Sequence, residues 1–215
     1  MNLAQIWRHA LCDAALTRGP EAPTLCEGWE VRDLLAHLLV RDTRPDALLA
    51  KAVPAAARYE QKLRARAGDA AFEALVAEVR SGPPRLSPVS ISALDDAFNT
   101  VEFLIHHEDI VRAADDTDGP AARPSWEIDH DTCDAAWKAV TRTGRLLYRA
   151  APVGVVVVAP GVGRAALRRP PKDAGSVVLT GQPLELLLHA FGRTGAAVVD
   201  VHGDAADVAA FDPAP

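Results

Sequence analysis

The chain has 215 residues, of which 49% are hydrophobic and 24% charged, and its formal net charge is −6. This is an ordinary composition for a globular protein, and the length suits one large domain or two small ones. A mildly acidic chain without a run of Lys or Arg argues against nucleic acid as the main partner. No stretch approaches the roughly 20 apolar residues of a membrane span, so no membrane partner is expected.

The three cysteines favour a reducing compartment. Cys12, Cys26 and Cys133 are odd in number and show no C-x-x-C spacing, which argues against a disulfide framework and against a cysteine-based zinc site. The amphipathic N-terminus lacks the continuous apolar run of a secretory signal. We therefore expect a cytoplasmic protein.

Helix signals dominate the first 150 residues. Apolar periodicity and breaks such as Gly19-Pro20 and Ser81-Gly-Pro-Pro predict five helices. In chain order they cover residues 2–18, from 30 toward 51, 55–80 with an interruption near 68–69, 90–114, and 127–149.

Strand signals follow residue 150. Residues 153–158 form a β-branched run with a hairpin partner at 164–168, and further strands are predicted at 176–179 and 197–201. Helices are predicted at 182–191 and 204–211. The chain is thus expected to be α+β with two domains, a helical one over 1–150 and a small α+β one over 151–215, with a boundary between 148 and 153.

A candidate metal site lies in the fourth predicted helix. Glu102 and His106 are four residues apart, a spacing that stacks two side chains on one face of a helix. His37, on the apolar second helix, is the candidate third ligand, and the three would form a His₂-carboxylate site with an open coordination position. The alternative is that Glu102 and His106 only form a hydrogen-bonded pair. Spacing cannot exclude this alternative, because it does not reveal whether His37 lies near the other two residues.

Neighbouring residues carry open alternatives. Asp109 would either orient an imidazole from behind the metal or be a surface carboxylate. His107 is rotated by roughly 100° from His106 around the helix, so it is expected to face another helix or solvent. Cys26 and Cys133 are interpreted as small apolar fillers.

Three ordered motifs resemble the mycothiol-dependent maleylpyruvate isomerase family. The first is Cys26-Glu-Gly-Trp29-Glu-Val-Arg32-Asp33-Leu-Leu-Ala-His37-Leu, similar to that family's (S/C)-x-G-W-(T)-x-R-D-L-x-x-H-L pattern. The second is Glu102-x-x-x-His106-x-x-Asp109. The third, Thr180-Gly181-Gln-Pro-Leu-Glu-Leu-Leu-Leu-His-Ala-Phe-Gly192-Arg193, resembles its T-G-x-x-x-E-L-L-L-x-x-x-G-R segment. The likeness is greatest to an actinobacterial branch described as metal-binding.

The resemblance implies a fold and a chemistry. It implies a DinB-like four-helix bundle followed by a small sterol-carrier-like α/β domain. It also implies that His37, Glu102 and His106 are ligands of a divalent metal, with Zn²⁺ as the first candidate. The implied cosubstrate is a thiol such as mycothiol, used for isomerisation or S-transfer on a small electrophilic substrate. Arg193 matches the G-R position, where it would hold a substrate carboxylate or cap the preceding helix.

Two departures and one alternative remain. Glu30 stands where the family often has a helix-capping Thr, and Asn99 stands where it often has an Arg three residues before the ligand Glu. The loss of that Arg bears on activity, so a non-catalytic metal- or ligand-binding protein of the same fold is the alternative function. The sequence also leaves open a homodimer.

Overall fold

The computed structural model describes residues 1–43, 62, 64–68, 70–82, 93–113 and 128–211, which fall into two compact units. The first unit spans residues 1–125 and the second spans residues 126–215. The described elements of the first unit are helices, and the second unit combines helices with a sheet. The predicted α+β class is therefore confirmed. The DinB-like and sterol-carrier-like assignments stay predictions.

Four helices of the first unit have described bounds. They are α1 (Leu3–Arg18), α2 (Val31–Thr43), α3 (Phe72–Ser81) and α4 (Ala93–Val111). Residues 64–68 are also helical and a bend at residue 70 separates them from α3, as predicted. The parts of the predicted helices at 44–61 and 90–92 lie outside the described residues.

Local sequence explains where these helices begin and end. Asn2 caps α1 and forms a capping box with Gln5, in which each side chain accepts from the other residue's backbone N–H. Gly19, at φ +87°, follows the end of α1, and Gly82, at φ +73°, follows the end of α3. Both glycines adopt the left-handed backbone conformation that other residues rarely reach.

Apolar faces of the four helices meet in one core. α1 packs against α3 and α4, and α2 packs against α3. The core side chains share near-complete burial; they include Leu11, Cys12, Leu34, Leu35, Leu38, Leu75, Val76, Val79, Phe103 and Ile110. Each fully buried side chain of this size contributes roughly 1.5–3 kcal/mol of transfer free energy.

A buried arginine connects all four helices. Arg8 of α1 forms an ion pair with Asp42 of α2 and donates to the Val79 carbonyl of α3 at 2.8 Å. Its guanidinium carbon also lies 4.1 Å from the ring centre of Phe103 on α4. Because both charged groups are nearly inaccessible to water, removing one leaves the other buried and unpaired.

We therefore expect Asp42→Ala to reduce the free energy of unfolding of the first unit by about 3–5 kcal/mol. The control is Asp13→Ala, which removes an exposed partner of Arg80 and should cost about 1 kcal/mol or less. Chemical denaturation followed by tryptophan fluorescence measures both values. Equal losses in the two variants would contradict the buried-charge explanation.

The second unit combines a four-stranded sheet with helices. Its elements are α5 (His130–Leu147), a 3₁₀ turn (Tyr148–Ala150), β1 (Gly154–Ala159), β2 (Gly163–Arg168), β3 (Ser176–Thr180), α6 (Pro183–Ala190), β4 (Asp200–His202) and α7 (Ala205–Phe211). The predicted hairpin, third strand and both short helices are present. The predicted strand at 197–201 is wrong in position, because β4 begins only at Asp200.

The predicted domain boundary between residues 148 and 153 differs from the division between residues 125 and 126. Helix α5 lies before the predicted boundary but packs against α6, β2 and the 3₁₀ turn of the second unit. Helix α5 approaches β2 closely, because a Cβ at Gly144 would lie 2.6 Å from Leu167 Cδ1 on β2. Helix α5 therefore packs on the sheet at β2.

The sheet has the strand order β2-β1-β3-β4. β1 pairs antiparallel with β2 and parallel with β3, and β3 pairs antiparallel with β4. Alternate residues of the two central strands, including Val155, Val157, Val177 and Leu179, are fully buried. The parallel pair requires the segment between β2 and β3 to cross the end of β1, where a Cβ on Gly154 would lie 2.9 Å from Pro170 Cδ.

A buried tyrosine–histidine pair lies beside this sheet. The Tyr148 hydroxyl and His189 Nδ1 are 2.8 Å apart, and the His189 ring is stacked parallel to Phe211. Burial lowers the pKa of His189 and raises the pKa of Tyr148. The neutral imidazole therefore accepts a hydrogen bond from the Tyr148 hydroxyl in this pair.

The free energy of unfolding should fall as the pH falls below about 6.5. His189 takes up a proton at its ordinary pKa of about 6.5 in the unfolded chain, but at a lower pH in the folded protein. The folded state thus binds fewer protons in that range and loses stability. Denaturation curves at several pH values measure the effect.

Two variants make that measurement specific. His189→Asn keeps an acceptor near Nδ1 but cannot titrate, so it should flatten the pH dependence. His130→Asn, at a histidine whose side chain is 94% exposed, should leave the dependence unchanged. A wild-type slope that survives in His189→Asn would assign the effect to another group.

Among the described residues, no helix combines the length and the apolarity needed to cross a bilayer.

Candidate metal centre

Two helices of the first unit bring three ligand residues together. His37 lies on α2, and Glu102 and His106 lie one turn apart on α4. One ligand atom from each of the three side chains lies within 4.8 Å of the others. The structure therefore unites the three residues that the sequence proposed, although they come from segments far apart in the chain.

The distances between the donor atoms suit a shared cation. Glu102 Oε1 lies 3.7 Å from His37 Nε2 and 3.5 Å from His106 Nε2. Two ligands about 2.1 Å from one tetrahedral metal ion are about 3.4 Å apart. These contacts are long for hydrogen bonds, and their lengths fit a His₂-Glu donor set around an ion. The residues present therefore fit a divalent metal.

Glu102 lies on the open side of the cluster. Its side chain is 30% exposed, against 17% for His37 and 12% for His106. The two imidazoles are enclosed, and their rings make a T-shaped contact with centres 5.8 Å apart. A ligand reaching a metal here would therefore approach past the carboxylate.

Asp109 fixes the orientation of His106. The fully buried Asp109 carboxylate oxygen Oδ2 lies 2.9 Å from His106 Nδ1 and accepts a hydrogen bond from it. This bond fixes the ring so that Nε2 faces Glu102, which is the usual role of a carboxylate behind a metal-binding histidine. Of the two interpretations offered by the sequence, the surface carboxylate is therefore excluded.

Cys26 contributes to the same arrangement. Its Sγ donates to Asp109 Oδ2 at 3.2 Å, so Cys26, His106 and Asp109 form a second cluster of ligand-type atoms. The 2.9 Å contact in this cluster is a hydrogen bond of ordinary length, and the cluster shares His106 with the first. We interpret it as the support of His106. The expectation that Cys26 only fills space missed this bond.

The turn after Thr24 positions both Cys26 and Trp29. The Trp29 N–H donates to the Cys26 carbonyl at 2.9 Å, and Gly28 between them has φ +71°. The Thr24 hydroxyl donates to the Trp29 carbonyl at 2.8 Å. The turn is joined to α4 because the backbone N–H of Leu25 donates to the Asp109 carbonyl at 2.9 Å.

The Trp29 ring packs against the His37 ring. The two ring centres are 5.2 Å apart, and the Arg64 guanidinium lies 4.2 Å above the Trp29 ring. Arg64 also pairs with Asp33 at 3.6 Å. The C-E-G-W motif of the sequence thus supplies one residue to each ligand histidine: Cys26 through Asp109 to His106, and Trp29 to His37.

Arg41 stands beside the ligand carboxylate. It lies one turn after His37 on α2, with Nε 3.5 Å from Glu102 Oε1. Its Nη1 donates to Asn99 Oδ1 at 2.6 Å. Asn99, which stands where the resembling family often has an arginine, thus accepts a hydrogen bond from an arginine of α2.

Electrostatics in the cluster are strongly coupled. Burial alone would raise the pKa of Glu102, but hydrogen bonds with His106 and His37 and the charge of Arg41 hold it well below its usual range. Burial alone would lower the pKa of His106, but hydrogen bonds with Asp109, Cys26 and Glu102 raise it well above its usual range. Glu102 is thus an anion and attracts a cation.

Other residues singled out in the sequence take separate places. His107 is buried beside Trp7 of α1, with Nδ1 3.0 Å from Glu108, and does not join the cluster. Arg193 of the second unit donates from Nη1 to the Phe191 carbonyl at 2.8 Å. That bond corresponds to the helix-capping alternative, and the binding of a substrate carboxylate stays a prediction.

The fold and the cluster define an α+β protein with a candidate His₂-Glu metal centre, and solved structures share this fold. The chain is similar to a crystal structure of the mycothiol-dependent maleylpyruvate isomerase, with a TM-score of 0.59 and 18% identity over 93% of this chain and 90% of that chain. A histidine-to-alanine mutant of that isomerase gives a TM-score of 0.57 and 16% identity over 92% and 90%. At these identities the likeness establishes the fold. No family model and no curated protein matches the sequence.

Asp109→Asn should weaken metal binding while leaving the three ligands in place. An amide cannot stabilise the His106 N–H as a carboxylate does, and substitutions behind a ligand histidine typically cost about 10- to 100-fold in metal affinity. Competition with a chromogenic chelator measures the dissociation constant. His130→Asn, distant in sequence and exposed, serves as the control. Unchanged affinity in Asp109→Asn would remove Asp109 from the site.

Proposed function

We propose that this protein is a metal-dependent enzyme that uses a small thiol of the mycothiol type. The enzyme either isomerises a small electrophilic substrate or transfers the thiol to it. The observation that carries the proposal is the convergence of His37, Glu102 and His106 on one point. The fold shared with a mycothiol-dependent maleylpyruvate isomerase supports the choice of reaction. We further propose that the protein acts in the cytoplasm.

Zinc is the proposed metal. Two imidazoles and a carboxylate suit Zn²⁺, and they would also accept Ni²⁺, Fe²⁺ or Mn²⁺. Three protein ligands leave a coordination position for water or for a thiol. When bound there, a divalent metal lowers the pKa of a thiol ligand, so that the thiolate is present near neutral pH.

The chain's own residues prepare this position. Asp109 holds the proton of His106 on Nδ1 and so keeps Nε2 available as a ligand. Trp29 encloses His37, and Glu102 leaves the cluster accessible on its exposed side. These residues bind and orient, and none of them needs to form a covalent bond with the substrate.

The nucleophile is proposed to come from the cosubstrate. Cys12 is completely buried, and burial raises its pKa to about 11, so it is a poor nucleophile. The Cys26 thiol keeps its proton and donates a hydrogen bond to the Asp109 carboxylate. Among the described residues, no other cysteine lies in the first unit. A thiol that arrives as a separate molecule supplies the sulfur instead.

The isomerisation balances without any further reactant. The thiolate sulfur adds to one carbon of an activated cis double bond, and the electron pair moves toward the activating carbonyl. Rotation occurs about the resulting single bond. The C–S bond then breaks, the double bond re-forms in the trans arrangement, and the thiolate is regenerated. Arg193 is proposed, from its match to the G-R motif, to hold a substrate carboxylate.

The direct test supplies zinc-loaded protein with mycothiol and maleylpyruvate and then with a panel of other electrophiles. Turnover is expected in the wild type and should fall by orders of magnitude in His37→Ala and Glu102→Ala, because each removes a metal ligand. Metal content, measured by mass spectrometry, should fall in parallel. His130→Ala controls for the loss of an unrelated exposed histidine.

The alternative function has a distinct outcome in the same experiment. A non-catalytic metal- or ligand-binding protein would retain one metal per chain and show neither thiol binding nor turnover. Retention of metal in both ligand variants would overturn the metal centre itself.

A further inference from the structure

We propose that Arg41 binds an anionic group of the ligand at this site, in addition to the carboxylate contact proposed for Arg193, and that it gives the site a preference for substrates that carry a carboxylate. This inference deepens the proposed function and rests on the proposed metal centre. It concerns a residue that neither the spacing of the motifs nor the resemblance singled out.

The first argument is position. Arg41 follows His37 by one helical turn, so both side chains project from the same face of α2 toward α4. Its Nε lies 3.5 Å from Glu102 Oε1, the same oxygen atom that faces both ligand imidazoles. The guanidinium therefore lies next to the Glu102 oxygen that would bind the metal, within reach of a small molecule bound at the metal position.

The second argument is rigidity. Asn99 accepts a hydrogen bond of 2.6 Å from Arg41 Nη1, and Asp42 Oδ1 lies 3.4 Å from the same nitrogen. Both contacts are made by Nη1, and Nε lies 3.5 Å from Glu102 Oε1, so two of the three guanidinium nitrogens are held in place. A planar group held in this way presents its remaining N–H donors in the fork geometry that matches a carboxylate.

The third argument is charge. Asp42 is the nearest carboxylate besides Glu102, but its Oδ2 is already engaged by the buried Arg8 in a shorter contact. Glu102, once it is a metal ligand, would direct its negative charge to the metal. Arg8 and Arg41 then share the single carboxylate of Asp42, which neutralises only one of their two positive charges. The positive charge that remains beside the metal position favours an anionic ligand.

A second arginine near the site provides a matched control. Arg64 lies over the Trp29 ring, and Asp33 pairs with it at 3.6 Å. The side chains of Arg64 and Arg41 are similarly enclosed, at 16% and 14% exposure. Loss of Arg64 therefore removes the same charge from the same unit, but from a residue that pairs with Asp33.

The test measures the binding of maleate and of its neutral analogue maleamide to zinc-loaded protein by calorimetry, without any thiol. The wild type should bind maleate about 10- to 100-fold more tightly than maleamide, as expected for a charge-assisted hydrogen-bonded pair. Arg41→Met should abolish this preference, and Arg64→Met should retain it. Zinc content is measured in each variant.

Two further variants and outcomes keep the result decisive. Arg41→Lys retains the charge without the fork and should show an intermediate preference, which also serves if Arg41→Met folds poorly. Equal binding of maleate and maleamide by the wild type would overturn the inference. So would a preference that persists in zinc-loaded Arg41→Met, because the carboxylate would then be bound by the metal alone.

A thiol measurement separates this inference from the proposed function. Cobalt-substituted wild type is titrated with methyl 3-mercaptopropionate, a neutral thiol, and the thiolate-to-cobalt absorption band is recorded. Thiol binding without a maleate preference retains the proposed function and rejects the role of Arg41. An Arg41-dependent maleate preference without thiol binding retains that role and rejects the thiol-dependent reaction.

Discussion

The buried charge of Arg8 is the constraint on which the first unit depends. A guanidinium without water must find partners, and Arg8 finds them on three other helices: Asp42 on α2, the Val79 carbonyl on α3 and the Phe103 ring on α4. Asp42 directly follows Arg41, and Phe103 directly follows Glu102. The contacts that satisfy one buried cation therefore also set α2 and α4 opposite each other at the metal cluster.

The cluster itself is a polar column within an apolar core. It extends from Cys26 through Asp109, His106 and Glu102 to Arg41, with each member 3.5 Å or less from the next. Such a column costs desolvation energy and stabilises the fold less than apolar side chains of the same volume would. A divalent cation bound as proposed would offset the repulsion and desolvation of these donors.

Much of this arrangement could be predicted because it depends on the spacing of residues that are close in the sequence. Glu102 and His106 share a helix face by their separation alone, and Gly19 and Gly82 end helices where their backbone conformation requires glycine. The pairing of His37 with Glu102 is different, since the two lie on separate helices and no spacing relates them. It followed only from the resemblance of ordered motifs.

The remaining features depend on tertiary contacts that a single sequence does not encode locally. The bond from Cys26 to Asp109 crosses 83 positions of chain, and the bond from Arg41 to Asn99 crosses 58. The amphipathic pattern of helix α5 would suit either domain, and its packing against α6 and β2, with Gly144 close to Leu167, assigns it to the second unit. Asp109 is similarly ambiguous until its burial is known.

The two outer strands of the second unit's sheet limit what the sheet can join. β2 carries Arg164 and Arg168, and β4 has only three residues, of which Asp200 and His202 are exposed. Charged and short edges offer a poor template for the backbone of another chain. The central strands, with their apolar runs at residues 155–158 and 177–179, are thus flanked by sequence that opposes strand-by-strand growth into aggregates.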